Sequence, residues 1–249
     1  MTPTPARWAL PLVAAMTLQV AACSHDPNTS QAKPDMTSSD QEATGTSDAE
    51  PTWTLLADEP ENVPLEAGAY GLTVNGAARE LAVIEAPEGF MNYGGWTFIS
   101  GEPFHAVGYV TADRVFRDPC GSTRRSKYDT ARDPGPTVAD LAEALVAQKR
   151  ARRSEPAPVT VDGHAGLYLE YRVSNEVDVA DCEDRAFDIF TTGPGGWYLE
   201  ASRERAAIWI LDVDGDRVVL AWVGVPGVTR EQINEMTHMV ESTRFVDPR

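Results

Sequence analysis

The chain has 249 residues, a mean hydropathy of −0.30 and a formal net charge of −17. The first 52 residues hold two of the basic and six of the acidic side chains, which leaves 19 basic and 32 acidic residues, a net of −13, for 53–249. That balance excludes nucleic acid as a partner, since a nucleic-acid surface needs a basic footprint, and it excludes broad electrostatic adhesion to anionic lipid.

Met1–Val20 carries Arg7 and then an apolar run from Trp8 to Val20, too short for a permanent bilayer span and followed by small residues. It reads as an export signal covering residues 1–22. The stop at Val20-Ala21-Ala22-Cys23 resembles the lipobox of bacterial lipoproteins. That resemblance implies that Cys23 is diacylated and becomes the mature N-terminus, so that lipid holds the protein on the outer side of the cell membrane. Two acyl chains anchor firmly where one holds only marginally. The stretch that follows, to residue 52, is Ser, Thr, Asp, Gln and Pro with almost no large apolar side chain. It predicts a disordered tether, residues 23–52 with the lipidated cysteine, whose flexible chain reaches about 30 Å.

Trp53 opens a single domain, 53–249, long enough to bury a real core. Tyr70–Val74 and Leu81–Ile84 are strand candidates with Asn75-Gly76 as a hairpin signal; Trp96–Ser100 and Phe104–Val110 follow. Thr137 with Asp140 three residues on predicts a capped helix start, and Val138, Leu141, Ala142 and Leu145 make its apolar face. Lys149, Arg150, Arg152 and Arg153 are read as favourable charge at that helix's C-terminal end, with a docking patch as the other reading. Val159–Val161 and Leu167–Val173 form a hairpin around Asp162-Gly163; the alternation of Leu167, Leu169, Tyr171 and Val173 with Tyr168, Glu170 and Arg172 predicts one core face and one wet face. Phe187–Phe190 and Trp197–Leu199 flank Gly193–Gly196, and Ala207–Leu211 and Arg217–Val223 flank Asp212–Asp216. Thr229 with Gln232 caps a last helix with Ile233, Met236 and Val240 buried, and Phe245 packs beyond it. The expected fold is α+β, with about eight strands in a mostly antiparallel sheet flanked by two helices.

Cys120 and Cys182 are the cysteines left after Cys23, and an even pair in an exported domain predicts a disulfide. No CxxC or HxxxH accompanies either, so no metal or other cofactor is expected. Asp212–Asp216 has the look of a calcium loop, yet it lies between strands and lacks the glutamate at position twelve, so it reads as a hairpin turn. Glu176, Asp178, Asp181, Glu183 and Asp184 read as a solvated acidic loop, with a docking site as the other reading. His105, His164 and His238 are scattered, and neither a G-x-S-x-G elbow nor a phosphate loop is present.

Five segments carry a second resemblance: Arg114–Cys120, Gly135–Leu141, Pro158–Gly163, Ile208–Gly215 and Met239–Phe245. The folded part is similar to the lipoproteins of high-GC actinobacteria that carry a PsbP-like α/β/α domain. The resemblance implies a sheet sandwiched by helices and a non-enzymatic accessory or binding role, and it transfers no catalytic residue. The expected function is therefore a lipid-anchored, extracytoplasmic binding module without catalytic activity, contacting an envelope protein or a small apolar ligand. The alternative is a cell-envelope hydrolase with an unrecognised site. Of Trp96, Trp197, Trp209 and Trp222, all in strand patterns, any left exposed should mark the binding face.

Overall fold

A computed structural model describes residues 52–73, 81–121, 126–192 and 195–247. The lipobox with Cys23, most of the tether and the Asn75-Gly76 signal lie outside these residues. The strands run β1 (Thr54–Leu55), β2 (Gly68–Leu72), β3 (Leu81–Ala86), β4 (Met91–Tyr93), β5 (Thr97–Ser100), β6 (His105–Val110), β7 (Arg114–Phe116) and β8 (Ala131–Arg132). Helix α1 (Val138–Val146) leads into β9 (Ala151–Arg153), β10 (Ala157–Val161), β11 (His164–Val173), β12 (Phe187–Thr192), β13 (Gly195–Leu199), β14 (Arg205–Val213) and β15 (Asp216–Gly224). Helix α2 (Arg230–Glu241) and β16 (Arg244–Val246) follow.

An antiparallel central sheet runs β10–β11–β14–β15–β6–β5–β4, with β9 paired to the second half of β11. Ala206–Leu211 is buried throughout, because both faces of β14 are covered. Ala206, Ile208 and Ile210 join one apolar cluster, with α1 and the small sheet β13–β12–β7–β8. Ala207, Trp209 and Leu211 join a second, with α2 and the small sheet β1–β2–β3–β16.

The fold is thus mostly antiparallel sheet with one helix on each face, as expected, but it is richer in strands than a plain α/β/α sandwich. Sixteen strands are present among the described residues where about eight were expected. Geometry explains the difference. Helices of 9 and 12 residues are about 14 and 18 Å long, while a sheet this wide spans roughly 30 Å or more across its strands. Each outer layer is therefore completed by a small sheet.

Both helices start where the sequence places them. Thr137 Oγ1 accepts from the Asp140 backbone N–H and the Asp140 carboxylate accepts from the Thr137 N–H. Thr229 and Gln232 repeat this reciprocal pair. Each satisfies two otherwise orphaned donors.

The turn between β13 and β14 holds a buried carboxylate. Glu204 is 2% exposed and accepts from the backbone N–H groups of Glu200 and Ala201. Burial outweighs those bonds and pushes its pKa up to about 7. The folded state therefore holds its proton more tightly than the unfolded state. The resulting stability is fully present below the ordinary carboxylate range and is lost as pH rises through about 7. Over that window it amounts to about 3 kcal/mol. Denaturant titrations between acid and neutral pH should show a steeper loss for the wild type than for Glu204→Gln. Parallel curves would contradict the assignment.

Candidate functional site

The strongest candidate is a groove of about 490 Å³ beside α2, on the second-cluster face of the central sheet. The length of β11 creates it. The ten residues of β11 pair with β10 along their first half and β9 along their second. Pro156 lies in the break between the two edge strands, where its missing donor does no harm. Ser154 bridges that break: its N–H donates to Glu170 O and its hydroxyl accepts from the Glu170 N–H.

Helix α2 forms the opposite wall. Trp222 on β15 donates its indole N–H to Thr237 Oγ1 at 3.2 Å, which ties the helix to the sheet. Ile233 and Thr237 line the groove from the helix, and Tyr168 and Trp222 line it from the sheet. Tyr168 packs on Trp209 with ring centroids 4.8 Å apart. Burial, together with the negative charge of Glu170, pushes the Tyr168 phenol up to about 12. It remains a proton donor throughout the physiological range.

The face of β11 expected to be wet is this floor. Leu169, Tyr171 and Val173 are buried in the first cluster, as the alternation predicts. Tyr168 packs against the second cluster instead of standing in water.

The basic run after α1 also needs correction. Helix α1 ends at Val146 and has no basic residue in its last turn. Arg152 and Arg153 lie in β9. Arg153 donates to Val146 O and Ala151 O, closing the connection between helix and strand. Arg152 stands opposite Arg172, and Arg172 stands opposite Arg205 on β14. Residues directly paired across strands share a face, so three arginines form one row at the groove. Neither Arg172 nor Arg205 was singled out in the sequence. Alternation put Arg172 on the Tyr168 face, but only the register brings the others beside it.

Cys120 and Cys182 form the expected disulfide, with Cα atoms 4.6 Å apart. Around it the acidic loop is only partly solvated. Glu183 accepts from Ser126 Oγ and from the Lys127 N–H. The Lys127 ammonium, 1% exposed, donates to Glu183 O at 2.9 Å and contacts the carboxylates of Asp188 and Asp184. Burial works against that charge, and the acidic contacts more than offset it, so the pKa of Lys127 lies above its usual value. A cleft of about 320 Å³ beside the disulfide is lined by Arg150, Glu176, Asp178 and Asp181.

Asp212–Asp216 closes the β14–β15 hairpin. The Gly215 N–H donates to Asp212 Oδ1, and Asp214 and Gly215 take positive φ. That is turn chemistry. Among the described residues no group of His, Cys, Asp and Glu could hold a metal ion. The histidines are apart: His105 is buried near Pro103 O, His164 meets the ring of Phe245, and His238 is exposed on α2. Trp197, Trp209 and Trp222 are buried, and Trp96 is half-buried against Trp197. No protein-family model matches this chain, and no curated protein matches it either.

Proposed function

We propose that this chain is a lipid-anchored, extracytoplasmic binding module that takes a small ligand in the groove between α2 and β9–β11–β14. The groove carries the reading. Its volume falls within the ordinary range for ligand sites, and it sets the apolar surface of Tyr168, Trp222 and Ile233 beside a strongly basic lining. The anchor reading rests on the Val20-Ala21-Ala22-Cys23 stop after the apolar run. The disulfide is consistent with an oxidising compartment. Among the described residues no helix is long and apolar enough to cross a membrane. A central sheet with one helix on each face supports kinship with PsbP-like domains at the level of architecture.

The competing reading, an envelope hydrolase, is tested with a panel of ester, peptide, glycoside and phosphate substrates on the full chain. The binding reading expects no turnover that depends on the groove. Turnover abolished by Ile233→Trp, or by one His or Asp substitution, would replace it with the hydrolase.

A further inference from the structure

Resting on the groove as the ligand seat, we propose that its ligand carries a phosphomonoester, held by the row Arg152–Arg172–Arg205. The row is the observation behind the proposal: Arg172 is half-buried, and Arg152 and Arg205 are exposed and open to an incoming anion. Like charges directly opposite one another across strands are destabilising, and here three stand side by side. Among the described residues none of the three has a carboxylate within ion-pair distance or a hydrogen bond from its guanidinium. The surrounding domain is strongly acidic, so an uncompensated basic row is not a by-product of composition.

The positive charge of the groove favours a multiply charged anion. Arg153 is occupied by two backbone carbonyls. Four guanidinium groups and the one carboxylate of Glu170 line the groove, a net of three positive charges, with the donors of Arg152, Arg172 and Arg205 free to meet an anion. A phosphomonoester carries about −1.5 to −2 near neutral pH and three strong acceptor oxygens. Guanidinium groups present paired N–H donors that match those oxygens, and neighbouring strands space them by about 5 Å. The Tyr168 hydroxyl stays protonated and donates to Glu170 Oε1 at 3.5 Å, beside the row. Tyr168, Trp222 and Ile233 supply an apolar surface for the organic part. The small apolar ligand expected from the sequence thus becomes an amphiphilic one.

Calorimetry on the full chain in non-ionic detergent tests this with phenyl phosphate, with phenol as its uncharged counterpart, and with short-chain phosphatidic acid. Phenyl phosphate should bind more tightly than phenol, and more weakly as salt rises. Arg172→Gln and Arg205→Gln should each weaken it about tenfold or more. Tighter binding of phosphatidic acid than of phenyl phosphate would identify a lipid source, and the reverse a soluble one; both support the assignment.

Ligand-free Arg172→Gln should melt about 1–3 °C higher, because it relieves repulsion. A lower melting temperature would make Arg172 a structural residue and overturn the proposal. Equal binding of phenol and phenyl phosphate, unaffected by the arginine variants, would also overturn it while leaving the groove as the seat. If no probe binds and Ile233→Trp changes nothing, the groove reading itself fails.

Discussion

Replacing Lys127 by alanine is expected to cost about 3–5 kcal/mol of folding stability, read as a lower denaturant midpoint. The side chain is almost wholly enclosed, and its ammonium touches Asp188, Asp184 and the Glu183 carbonyl. Truncation removes the cation and leaves Asp188, itself largely buried, without its counter-charge. Lys127→Met separates the two contributions. It keeps the apolar packing and should still lose most of the same energy, because the charge is the part that cannot be replaced. A loss below about 1 kcal/mol would place this pair with exposed ion pairs and contradict its structural role.

The second large effect comes from the adjoining bridge. Reducing Cys120–Cys182, separated by 62 residues, should lower stability by about 4 kcal/mol in the chain-entropy model. Cys120→Ser with Cys182→Ser should do the same. The bridge and Lys127 share their neighbours: the Glu183 N–H donates to Cys120 O, and the Asp188 N–H donates to Pro119 O. Combining reduction with Lys127→Ala should therefore fall short of additivity, since losing either loosens the segment that the other holds. Strict additivity, measured by a double-mutant cycle, would show two independent features.

Much of the frame could be read from the sequence because its signals are local. The capping pairs Thr137–Asp140 and Thr229–Gln232 set both helix starts, the hairpin β10–β11 followed from alternation, and β14–β15 from two apolar runs around a short turn. Strands of two or three residues, such as β1, β8 and β9, are too short to show a period. They exist because a neighbouring strand offers unpaired backbone groups, which is a property of the tertiary fold.

The site was less legible for the same reason. Arg152, Arg172 and Arg205 belong to three strands and meet only through register. The basic run from Lys149 to Arg153 drew notice, but it was assigned to a helix that stops at Val146. The buried node was hidden as well. A lone Lys127 in a polar stretch carries no sign that Asp188 and Glu183 will close over it. The acidic loop offered Glu183, and the strand after it Asp188, without a partner in view.

The central claim is that a lipid-anchored chain holds a small ligand in the groove beside α2. Native mass spectrometry of the full chain extracted from membranes tests it most directly. The account predicts a protein that begins at a diacylated Cys23 and carries a non-covalent small-molecule adduct, with the adduct lost in Ile233→Trp and the lipid retained. A mature chain that begins elsewhere without lipid, or an adduct that persists unchanged when the groove is filled, would contradict it.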